Sequence, residues 1–271
     1  MRSLAIGVAR YDVHVSEFDP TTPSIARVYD YLLGGKDQFA VDREVAGKLL
    51  AVAPVSADVM RENRQFLGRA VLWAARQGIT QFIDLGCGMA TAPSTHGSVR
   101  QVSKDARVVL VDNDVVVLAH LRALAAHGDP GVTVVEGDIR EVPAILRAAA
   151  ASVDLTRPAC LLMGALLHFF PPDAARDLVT AYVAALAPGS YVVLSVGRGD
   201  GDTADRGFGA YSSGGTVAYN HSVADFTGFF GSLTLVEPGI VDARLWHQDT
   251  EPDGPLPPRT GHSLVGVARV G

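Results

Sequence analysis

The chain has 271 residues, 48% hydrophobic and 19% charged, enough apolar material for a sizeable core and unlike a disordered or fibrous chain. Its formal net charge of -6 arises from 23 basic and 29 acidic residues with no basic cluster, so no nucleic-acid partner is expected. The two cysteines, Cys87 and Cys160, form neither a disulfide framework nor a Cys/His metal spacing, and read as buried thiols of a reducing cytoplasm.

In chain order, "MRSLAIGVARYDVHV" lacks the apolar core and cleavage site of a signal peptide. Thr22-Pro23 opens a helix with Ile25, Val28, Tyr29, Leu32 and Leu33 on one face, and Gly34-Gly35 ends it. Tyr29 falls in that apolar stripe and is predicted to be core, whereas Tyr31 points off it. The Gly-Gly-Lys step is not a phosphate loop, because Asp37 follows Lys36 and no strand precedes it. "SADVMRENRQFLGRAVLWAARQG" is a longer helix with Ser56 as its predicted cap.

From residue 80 strands and helices alternate. "TQFIDLG", "ARVVLVD", "VTVVEGD", "PACLLMGA" and "SYVVLSV" are continuous apolar runs, as strands buried on both faces of a parallel sheet require. Helices lie between them, in "DVVVLAHLRALAAHG", stopped at Gly128, and in "PDAARDLVTAYVAALAPG". Residues 197–220, rich in Gly, Asp and Ser, read as a long functional loop, and "SVAD" as a capping box at Ser222. "LTLVEPG" and "HSLVGVARV" supply a sixth and a seventh strand, joined by the Pro-rich "PDGPLPPRTGH". The longest apolar run, "ACLLMGALLHFF", is too short to span a bilayer, so a cytoplasmic protein away from the membrane is expected. The pattern predicts an α/β, Rossmann-like, doubly wound seven-stranded sheet over residues 79–271, preceded by an extension and helical cap over 1–78.

Three strand ends carry acids. "FIDLGCGMAT" places Asp84 before a Gly86-Cys87-Gly88 turn, where backbone approaches a ligand closely. The third glycine of a dinucleotide fingerprint is absent, since Thr91 stands there, and Asp84 would repel a diphosphate, so a cationic or zwitterionic ligand suits it better. Asp112, 24 residues after Gly88, is placed to accept ribose hydroxyls, with Asp114 as the cap of the next helix. Asp138 is placed to accept from an adenine amine beside the flat, apolar Ile139. Together these outline an adenosine pocket.

With these residues the chain resembles the class I S-adenosylmethionine-dependent methyltransferases over most of residues 80–270. It is similar, more narrowly, to an actinobacterial methyltransferase family first described as a domain of unknown function. The closer match rests on "SIARVYDYLLGGKDQFAVD", "FIDLGCGMAT", "ARVVLVDNDVVVLAH", "GDIR", "LLHF" and "APGSYVVLS". The resemblance implies S-adenosylmethionine as cofactor. Gly86 and Gly88 would approach its methionine part, Asp112 the ribose, Asp138 beside Ile139 the adenine, and Gly164 and Ala165 the sulfonium, with Asp84, Cys87 and Asn113 as further expected cofactor contacts. Cys87 stands where the family usually has Thr, Met89-Ala90 where it has Leu-Pro, Val115 where it has Pro, and Val196 where it has His.

His168 in "LLHFF" is the candidate base, ahead of His96 and His221; packing against Phe169 and Phe170 is the alternative reading of it. Neither the Asn/Asp-Pro-Pro-Tyr motif of base-amino methylation nor a Pro-Cys nucleophile is present, which leaves a small molecule or a protein side chain as acceptor. A non-catalytic adenosine-ligand sensor and an NAD-dependent oxidoreductase are the competing functions. The helix ending at Gly34-Gly35 is expected to form a lid, with Tyr31 and either Lys36 or Asp37 facing cofactor or acceptor.

Overall fold

The computed structural model describes residues 19–126, 129–199, 201–212, 215–247 and 261–271. The N-terminal apolar patch, Gly128 and nearly all of the Pro-rich connection lie outside the described residues. Among the described residues eight strands form one sheet: β1 (Gln81–Leu85), β2 (Arg107–Asp112), β3 (Val132–Glu136), β4 (Cys160–Gly164), β5 (Tyr191–Gly199), β6 (Thr234–Leu235), β7 (Val241–Asp242) and β8 (Gly261–Arg269). Their order is β3-β2-β1-β4-β5-β8-β6, with β7 also pairing β8. β1 to β5 are mutually parallel, and β8 runs antiparallel to β5, β6 and β7. The two-residue β7 is the strand that the apolar pattern did not mark, being too short to carry one.

Alternate strand residues serve opposite faces, so each strand is apolar throughout. Phe82, Val108, Cys160 and Val193 pack with α3 (Ser56–Arg76) and α5 (Val115–Ala126). Ile83, Val109, Leu161 and Val192 pack with α6 (Val142–Ala149), α7 (Pro172–Val183) and α9 (Val223–Phe229). α3 buries Phe66, Ala70, Val71 and Ala74 against the sheet and is thus a sheet helix, although it lies in the N-terminal third of the chain. Its first residue is Ser56, but the side chain makes no cap; Val55 occupies the capping position. Ser222 forms the predicted capping box with Asp225.

The cap consists of α1 (Ile25–Leu32) and α2 (Ala40–Val52), packed through Val28, Leu32, Val45, Ala46 and Leu49. The Gly-, Asp- and Ser-rich run expected to be a loop contains α8 (Gly201–Ser212), which packs on α2. Tertiary packing there overrides poor helix propensity. Among the described residues no helix is long and apolar enough to cross a membrane.

Arg27 links the cap to the sheet domain. Arg27, 3% exposed, donates through Nε to Asp42 (2.8 Å), through Nη1 to Asp114 (3.1 Å) and through Nη2 to the Thr22 carbonyl (2.7 Å). Asp42 also accepts from the backbone N–H groups of Ser24 and Phe39, which fixes the α1–α2 turn. Removing one partner of a buried ionic cluster leaves the others unpaired. Arg27→Met is therefore expected to cost about 3 kcal/mol in chemical denaturation.

Candidate cofactor site

The order of the strands reverses between β1 and β4, and the crevice beyond their carboxyl ends is where such sheets bind ligands. A cavity of about 510 Å³ lies there. Its floor is the β1 end and following turn (Asp84, Gly86, Cys87, Gly88), the β2 end (Asp112, Asn113, Asp114) and the β4 end (Gly164, Ala165). Its roof is the start of the cap, Thr22 to Arg27, with Tyr29, Asp30 and Leu33, and its inner wall is Asn63, Arg64 and Leu67 of α3.

The turn is built around glycine. Gly86 and Gly88 have φ of 62° and 63°, in the left-handed region, and a Cβ on Gly86 would lie 2.8 Å from Leu166. Asp112 holds the turn in place: one carboxylate oxygen accepts from Gly88 N–H (2.9 Å), the other from Asn113 (2.9 Å) and Asp114 (3.0 Å). Two carboxylate oxygens have about four acceptor sites, so one remains for a ligand hydroxyl. Asp114 divides its work: Oδ1 caps α5 through Val116 and Val117, and Oδ2 receives Arg27. At the β4 end Ala165 holds φ of 52°, rare for a residue with a Cβ, and donates its N–H to Ser195 Oγ at 2.9 Å. Strain of this kind gathers at functional sites.

The electrostatics favour a cation. Burial raises the Asp84 carboxyl to about 6, opposed by the hydrogen bond from Thr95 (2.6 Å) and by Arg64. Burial also raises Asp112 and keeps the Cys87 thiol protonated, so Cys87 is a wall and not a nucleophile. Arg64 is 8% exposed, sits over the Tyr29 ring at 5.6 Å, and its Nε has no partner among the described residues.

Not every predicted residue reaches the cavity. Tyr31 lines neither this cavity nor its neighbour; it packs on the cap cluster, and Tyr29 lines both. Lys36 and Asp37 also stay outside, Asp37 lying 3.5 Å from His120. Asp138 is not in the lining, because Arg140, two residues on, closes on its carboxylate and lowers its pKa. Ile139 is buried in the core. His96 and His221 line neither cavity; burial lowers His96, and His221 Nε2 faces the Leu167 carbonyl. His168 lines a second, smaller cavity. Burial drives it down to about 3, so it is neutral, and Nδ1 accepts from Gly197 N–H (3.4 Å), which leaves its proton on Nε2. A lid is expected from α1, but its individual roof residues and Arg64 carry no signal of their own, although "SIARVYDY" within the family match contains most of the roof.

A model of the S-adenosyl methyltransferase family matches residues 12–271, and the chain belongs to that family. The fold is that of a class I methyltransferase that uses S-adenosylmethionine. The chain is 36% identical to a candidate methyltransferase from Thermobifida fusca of known structure, with a TM-score of 0.86 over 92% of this chain and 96% of that one. It is 33% identical to a DUF574 family protein from Streptomyces avermitilis, with a TM-score of 0.85 over 92% and 98%. A carboxy-S-adenosyl-L-methionine synthase from Shewanella is 30% identical over 119 residues, so the match spans about half the length of that relative, 44% of it and 43% of this chain.

The raised carboxyl of Asp84 makes a pH prediction. The folded state binds this proton more tightly than the unfolded state, so stability falls as pH rises from 3.8 to about 6, and the cost persists above that window. Asp84→Asn removes the charge. Thermal unfolding without ligand is expected to show the variant more stable at neutral pH, by on the order of 2 kcal/mol, with the difference vanishing below the window.

Proposed function

We propose that this protein transfers a methyl group from S-adenosylmethionine to a small-molecule acceptor. The observation that carries this is a cavity at the strand-order reversal that joins two buried carboxylates to a buried guanidinium with an unpartnered Nε. The amino-acid end of S-adenosylmethionine has one group for each: Arg64 takes the carboxylate and Asp84 the ammonium. Asp112 takes one ribose hydroxyl with its remaining acceptor site. A dinucleotide would instead set a diphosphate beside Asp84, which disfavours the oxidoreductase alternative. An adenine contact from Asp138 requires Arg140 to move off its carboxylate.

The bound cofactor supplies an electrophilic methyl carbon: the acceptor's lone pair takes it, the C–S pair returns to sulfur, and any proton on the acceptor atom leaves to water. The protein's share is positioning and exclusion of water, worth roughly 7–11 kcal/mol in well-oriented reactions. Cap, β4 end and α3 together supply that enclosure. His168, neutral and with Nδ1 occupied, serves the acceptor side as a hydrogen-bond donor and not as a base.

Calorimetry with two ligands tests the assignment. Arg64→Met is expected to weaken S-adenosylhomocysteine by at least about tenfold and leave 5′-methylthioadenosine, which lacks the carboxylate, unchanged. Asp112→Ala is expected to weaken both. Equal losses in the Arg64 variant would place the carboxylate elsewhere.

A further inference from the structure

The smaller cavity, about 100 Å³, shares Ile25, Tyr29, Asn63, Ala165 and Phe169 with the larger one. Beyond that common wall it is mostly apolar, with Leu49, Val59, Met60 and Phe208 among its lining. Among the described residues no acid lines it, and its one guanidinium, Arg198, already has a partner. Its volume is of the order of the ~150 Å³ cavity that takes up one benzene ring.

One polar group in the common wall is unanswered. Asn63 is 2% exposed. Its amide orientation is fixed by a chain of hydrogen bonds. The Met60 carbonyl can only accept, so the Tyr29 hydroxyl spends its proton there (3.0 Å). The phenol oxygen must then accept, and Asn63 Nδ2 donates to it (3.0 Å). Oδ1 is left, with no partner among the described residues. A buried carbonyl without a donor is destabilising, and a ligand bearing a donor removes that cost.

We propose that the smaller cavity is the acceptor chamber, and that it takes a compact, uncharged, one-ring molecule whose reacting O–H or N–H donates to Asn63 Oδ1. This rests on the cofactor occupying the larger cavity. A donor held at the common wall faces both chambers, so its lone pair can be directed toward the cofactor side. The apolar remainder selects size and neutrality, and the absence of an acid disfavours ammonium acceptors.

Phenol, toluene and benzoate are the probes, each titrated by ligand-observed NMR into the full chain saturated with S-adenosylhomocysteine. Phenol is expected to bind at least about threefold tighter than toluene, against the order of their hydrophobicity, and benzoate more weakly than phenol. Asn63→Leu is expected to abolish the preference for phenol while toluene changes less than about twofold. Toluene equal to phenol, or benzoate tightest, in the wild-type protein overturns the proposal without recourse to any variant. Failure of S-adenosylhomocysteine itself to bind overturns the cofactor assignment as well. Its binding without a preference for phenol overturns only the acceptor chamber.

Discussion

The Arg27 guanidinium is the interaction on which the chamber depends. It is held by Asp42 within the cap, by Asp114 at the start of α5, and by the Thr22 carbonyl at the roof. Asp114 caps α5 with its other oxygen, and its own N–H is held by Asp112, which also holds Gly88. A continuous hydrogen-bonded path thus runs from the roof to the glycine turn. Cap and floor are set by the same few groups, so the enclosure is a property of the fold and not of a loosely attached lid.

The charges inside follow a second constraint. Asp84 and Asp112 are both buried, and burial raises both carboxyls above the ordinary carboxylate range. Their ionised forms are costly without a cation nearby, and Arg64 offsets only part of that cost at Asp84. Such an arrangement trades stability for recognition of a zwitterionic ligand. In the proposed assignment Arg64 answers the ligand's negative end, so both signs of the amino-acid group find a partner in one cavity.

Strand ends were the most legible part of the chain, because a continuous apolar run that stops at an acid and a glycine marks both a buried strand and its ligand-facing edge. Asp84, Gly86, Gly88 and Asp112 line the cavity at the edge that pattern marked, and Asn113, Gly164 and Ala165, which came from the family resemblance, line it too. Asp138 followed the same rule at β3, yet a side-chain pairing with Arg140, invisible to strand pattern, draws it away. The two tyrosines of α1 exchanged roles for a related reason. A helical wheel separates apolar from polar faces, but it does not separate a packed core from a cavity wall. Tyr29 sits on the face that meets the cavities, whereas α2 covers the side that Tyr31 occupies. α8 was hidden by its glycines, since its stability comes from packing on α2 and not from its own residues.

Cap and sheet edge are proposed to close on one cofactor as a unit. Hydrogen–deuterium exchange with and without S-adenosylhomocysteine tests it most directly. Slowed exchange is expected in residues 24–33 of the cap together with residues 86–91 of the glycine turn, at the same ligand concentration. Protection of the turn with no change in the cap would contradict it.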